Sequence, residues 1–167
     1  KTKNIIMIYL KNILPILIIF FFFGNASSND QIDFEPLEIM ENERPNTSKS
    51  KLNYMFKFSL RCSALLYSLG KETDNNKIIL ISRNFNQSAY VALLLIKKKN
   101  AEVLRQQVSE YIGEYIKIYT PILKNNFSKN NKYIEGSDIL EGDFQSCKTF
   151  SSKTNSFLRA NGFQVLK

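Results

Sequence analysis

The most definite chemistry in this chain belongs to Cys62 and Cys147, its only two cysteines. They stand 85 positions apart and no C-x-x-C motif is present, which argues against a dithiol redox enzyme. Each lies in a stretch whose apolar residues recur at helical spacing. In an oxidising compartment such a pair predicts one disulfide, here tying the first helix of the body to the last. Two buried free thiols are the alternative.

Other chemistries drop out by residue type. The chain has no histidine, so Ser–His and Cys–His nucleophile pairs cannot form. A zinc site of His and Cys is excluded too, because two thiolates are too few. Carboxylates remain: Glu110 and Glu114 are one helical turn apart, and Asp138, Glu141 and Asp143 cluster. That spacing is formally open to general acid–base work but is common on solvated helix faces. No glycine-rich phosphate loop is present. The expectation is a protein without catalytic residue, cofactor or metal.

Two features could form a binding surface. Lys97, Lys98, Lys99 and Arg105 make a basic cluster near a helix junction. It suits an anionic surface component, or simply a helix C-terminus, where positive charge favours the dipole. Tyr111, Tyr115 and Tyr119 recur every fourth residue and so share one helix edge. Tyrosine serves both core edges and partner surfaces.

The compartment is read from the first 26 residues. Lys1, Lys3 and Lys11 precede an apolar run, Ile13 to Phe23, and then Gly24-Asn25-Ala26. A basic start, an apolar stretch and small residues form a signal segment cleaved after Ala26. The alternative is an uncleaved anchor over Ile5 to Phe23, whose 19 residues approach the ~20 needed to span a bilayer. Either way the body works outside the cytoplasm, periplasmic or extracellular if cut and held at the inner membrane if not. Nucleic acid is then an unsuitable partner despite the net charge of +8.

The elements that must position these residues read as follows. Residues 27–50 are acidic and carry Pro36 and Pro45, which predicts a flexible linker. Phe34, Leu37, Ile39 and Met40 within it can form a short docking helix. The domain proper is 51–167. Lys51 to Leu69 has Leu52, Met55, Phe56, Cys62, Leu65, Leu66 and Leu69 on one broad face, with Gly70 as its stop. Ile78 to Ile81 fits either a strand or the start of a helix, and Asn86 to Lys99 is helical. Ala101 to Thr120 is the clearest helix. Pro121 is expected to end or kink it, leaving Lys124 to Lys132 as a polar loop. Ser137 or Asp138 caps a last helix that stops near Asn161-Gly162. The fold class is all-α, a small bundle of about four helices.

The segment Arg61-Cys62-Ser63-Ala64-Leu65-Leu66-Tyr67 on an early helix, with Cys147 on a late one behind a leader, resembles small exported helical two-cysteine proteins of uncharacterised function from AT-rich marine bacteria. The abundance of Asn, Lys, Ile and Phe fits the same codon bias. The resemblance implies a helical, disulfide-tied body and brings no activity or site with it. The expected function is an exported, non-enzymatic helical module that binds a protein or envelope component. The alternatives are an enzyme using Asp, Glu or Tyr, and a membrane-tethered structural protein.

Overall fold

The computed structural model describes residues 34–42, 47–97 and 100–166. The signal segment or anchor at 1–26 lies outside them. Among the described residues the fold is all-α, with four long helices and one short one. We label them α1 (Leu37–Asn42), α2 (Ser48–Glu72), α3 (Asn76–Lys97), α4 (Ala101–Asn130) and α5 (Asp138–Ala160). No helix of the described residues is long and apolar enough to cross a membrane.

Side-chain caps set the boundaries. Thr47 and Ser50 form a reciprocal capping box, Thr47 Oγ1 accepting from the Ser50 N–H and Ser50 Oγ from the Thr47 N–H. That box starts α2 three residues before the expected Lys51. Asn75 Oδ1 accepts from the Lys77 and Ile78 N–H groups, so Ile78 to Ile81 is helical. Asn100 caps α4 and Ser137 caps α5. Asn131 ends α4 in the left-handed conformation (φ 54°).

Helix α2 is the central rod. Its residues from Phe58 to Leu66 are buried without a gap, so it is enclosed on all sides rather than along the one face its apolar periodicity predicts. Its small polar residues make this affordable, because each is hydrogen-bonded to a neighbouring helix. Ser59 Oγ donates to Ser88 Oγ (3.1 Å), Ser63 Oγ to the Ser82 carbonyl (3.0 Å), and Ser68 Oγ accepts from Thr120 Oγ1 (3.1 Å).

Gly70 does not stop α2; the helix runs on to Glu72. The glycine serves close approach instead. A Cβ at this position would stand 2.6 Å from Ile79 Cγ1 and 3.0 Å from the Ile79 backbone nitrogen. Gly70→Ala should therefore destabilise the fold by about 1–3 kcal/mol through overpacking, even though alanine is the better helix former. Urea denaturation checks this; equal or higher stability would show that α3 yields freely.

Pro121 neither ends α4 nor leaves Lys124 to Lys132 as a loop, since the helix continues to Asn130. A proline in a helix interior costs ~3 kcal/mol, largely through the carbonyl one turn earlier. The turns beyond it are held by tertiary contacts. Leu123 is fully buried. Asn126 Nδ2 donates to the carbonyls of Lys132, Tyr133 and Glu135. Phe127 stacks on Tyr133 at 4.4 Å between ring centroids. These contacts gather the α4–α5 connection onto the last turns of α4.

The stretch read as a linker contains docked structure. Leu37, at the start of α1, is fully buried, and α1 packs on α5 and α2. Ser48 to Ser50 are the first turn of α2.

Candidate functional site

The disulfide is formed. Cys62 on α2 and Cys147 on α5 are bonded, with Cα atoms 5.4 Å apart and both residues buried. It joins the first long helix to the last.

Beside it lies a buried ionic cluster. Arg61 precedes Cys62 on α2, and Asp143 lies one turn before Cys147 on α5. Arg61 Nη2 is 2.7 Å from Asp143 Oδ2, with the side chains 2% and 0% exposed. Tyr119 of α4, fully buried, donates its hydroxyl to Asp143 Oδ2 and accepts from Arg61 Nε and Nη2 at 3.2 and 3.1 Å. The chain before α1 completes the set. Arg61 Nη1 donates to the Glu35 carbonyl, and the Leu37 N–H donates to Asp143 Oδ1 at 2.7 Å. The carboxylate thus accepts from a guanidinium, a phenol and a backbone amide.

This network satisfies each charge where burial alone would be prohibitive. Burial opposes the charge on Arg61, but facing Tyr119 and Asp143 outweighs it, and the guanidinium titrates above its ordinary value. Burial also pushes the Tyr119 phenol well above the usual tyrosine value; Asp143 adds to that rise and Arg61 opposes it. Asp143 is fully buried, and its carboxylate is engaged by the three donors. The cluster's work is to hold α1, α2, α4 and α5 in register.

Of these residues, Tyr119 and Asp143 figure among the sequence candidates, in other roles, while Arg61 does not. A signal was present. Arg61 falls between Phe58 and Leu65 at helical spacing, and Asp143 between Leu140 and Cys147. Each is a charge set into an apolar stripe, and the two are opposite in sign on helices expected to be tied together.

Of the other sequence candidates, Lys97 and Tyr111 are linked through Gln107, whose Nε2 donates to the Tyr111 hydroxyl at 3.2 Å. Lys97 Nζ donates to Gln107 Oε1 (3.2 Å). The guanidinium of Arg105 sits 5.0 Å from the Tyr90 ring centroid. Lys98 and Lys99 lie outside the described residues. The tyrosine edge runs from surface to core. Tyr111 is exposed and meets Phe56 edge-on at 6.1 Å. Tyr115 is half-buried with Arg61 5.9 Å from its ring centroid. Tyr119 is the buried member.

Glu110 accepts from Gln106 and Glu114 from Lys117, both at the surface. Asp138 is exposed, and Glu141 turns to accept the Gly136 N–H (2.6 Å). Asp143 alone of its cluster is buried. Among the described residues, no three His, Cys, Asp or Glu side chains are gathered as a metal site.

No protein family matches the chain, and neither a curated protein nor a solved structure matches it. The class rests on the fold alone: a disulfide-tied all-α bundle with a sealed internal ion pair.

Proposed function

We propose that the chain is an exported helical module that binds a protein or envelope component and catalyses no reaction. One observation carries this reading, the disulfide between Cys62 and Cys147. Reducing cytosol keeps such thiols apart, whereas the periplasm and the exterior let the bond form and persist. The signal-like order of residues 1–26 points to the same compartment. A bundle pinned by a covalent tie and an internal ion pair is a rigid scaffold, and rigid scaffolds lose little entropy on binding. The exposed Tyr111 end of the tyrosine edge, linked through Gln107 to Lys97 at the end of α3 and with Arg105 nearer the start of α4, is the surface offered to a partner.

Cross-linking in the native envelope followed by pull-down tests the reading. One partner should be recovered repeatedly, with the bait a chain that starts at Ser27. A full-length bait that sediments with membranes would favour a tethered structural protein instead. A cytoplasmic location with two free thiols would overturn export.

A further inference from the structure

Helices α2, α3 and α4 enclose an open cleft of about 360 Å³ that the sequence candidates do not touch. Its size falls within the ~300–1,000 Å³ typical of small-molecule sites. The two main walls differ in chemistry. On α3, Arg83 and Asn86 are three residues apart and line the same side. On α4, Ile112 and Ile116 line the other, with Gly113 between them. Tyr67 of α2 and Ser109 of α4 also line the cleft.

Two further serines in the lining have their protons committed inside the bundle: Ser63 donates to the Ser82 carbonyl, and Ser82 to the Ile79 carbonyl. The donors left to a ligand are the Arg83 guanidinium, the Asn86 amide and the Tyr67 and Ser109 hydroxyls. Among the described residues no carboxylate pairs with Arg83. A guanidinium matches a carboxylate with two parallel hydrogen bonds. One cation in the lining suits a single negative charge better than a phosphate dianion, and the isoleucine wall calls for an apolar tail.

Gly113 is the opening in that wall. A Cβ built there meets nothing within 4 Å, so the space beside it is free. Glycine in mid-helix costs about 1 kcal/mol relative to alanine, and no packing contact accounts for it here.

We infer that this cleft binds a small amphipathic monocarboxylate, its head on Arg83 and Asn86 and its tail along Ile112 and Ile116. The inference goes beyond the reading of the protein as a binding module for a macromolecule, adding a small-molecule site away from the Tyr111 surface.

The test is calorimetric titration of the disulfide-bonded protein with octanoate below its micelle concentration, alongside octanol and inorganic phosphate. Octanoate should bind at sub-millimolar concentration, and octanol and phosphate at least ~10-fold more weakly, as expected when a charge-assisted hydrogen bond is lost. Arg83→Gln, at an exposed position, should weaken octanoate by a similar factor. Gly113→Phe should abolish binding by filling the cleft while the protein still unfolds cooperatively at an undiminished temperature. Equal binding of octanoate and octanol, tighter binding of phosphate, unchanged affinity in Gly113→Phe, or no octanoate binding at millimolar concentration would each overturn the assignment. A macromolecular partner still captured by Gly113→Phe would leave the binding-module reading standing without the cleft.

Discussion

Asp143→Ala should cost the bundle about 3–5 kcal/mol, because it takes away the carboxylate that the buried Arg61 guanidinium faces at 2.7 Å. The same change removes the acceptor to which the Tyr119 hydroxyl and the Leu37 amide both donate. A domain of this size has ~5–15 kcal/mol in total, so the variant should populate unfolded chain at moderate temperature. The loss reflects a buried charge with one carboxylate fewer to face rather than a strong bond, and that distinction can be measured. Replacing the pair together, Arg61→Met with Asp143→Leu, should recover much of the stability of the single variant, since a buried ion pair is worth little more than apolar residues of similar volume. Adding Tyr119→Phe removes a buried phenol that the double change deprives of its bonds to Arg61 and Asp143, and should recover more. Urea melts of the single, double and triple variants decide the matter. If the double variant is no more stable than Asp143→Ala, the ion pair is a net source of stability.

Reduction of the disulfide should lower stability by a similar amount. The bond closes a loop of 85 residues, for which the chain-entropy model gives about 4–5 kcal/mol and experiment often less. The two effects are coupled, because Arg61 and Asp143 flank the same junction between α2 and α5. Without the tie, a brief separation of those helices exposes the pair, and water competes for both charges. Reduced protein should thus show faster amide exchange in α5 and in the α1 segment than in α3, beyond its global loss of stability. Denaturation with and without reductant gives the first number, and exchange under native conditions gives the second. A melting temperature unmoved by full reduction would show that helix packing alone sets the fold.

Much of this architecture is legible in the sequence. The four long helices follow from apolar spacing and from capping residues such as Asn100 and Ser137, whose action is local. The disulfide partners follow from arithmetic, since two cysteines allow one pairing. The boundaries that differ do so where distant contacts outweigh local preference. Gly70 looks like a stop because glycine favours helix ends; it lies inside α2 because Ile79 leaves no room for a side chain. Pro121 looks like a break because it forfeits a hydrogen bond; α4 passes through it because Leu123 and Asn126 are anchored beyond it. The acidic stretch looks like a spacer; Leu37 docks because Arg61 and Asp143 offer hydrogen bonds to the backbone around it.

Candidate sites are less legible, because local spacing does not say which faces meet. The repeat of Tyr111, Tyr115 and Tyr119 places three rings on one edge, but only the packing of α4 against α2, with Asp143 of α5 reaching Tyr119, makes one a surface group and another the centre of a buried cluster. Arg83, Asn86 and Gly113 are unremarkable in sequence, and they share a cleft only because α3 and α4 flank α2. What the amino-acid order determined was the set of helices and the covalent tie, since these depend on neighbours along the chain and on a count of two. Which charges are buried, which glycine is crowded and which opens a cleft were decided by tertiary structure, because burial belongs to surfaces brought together from distant parts of the chain.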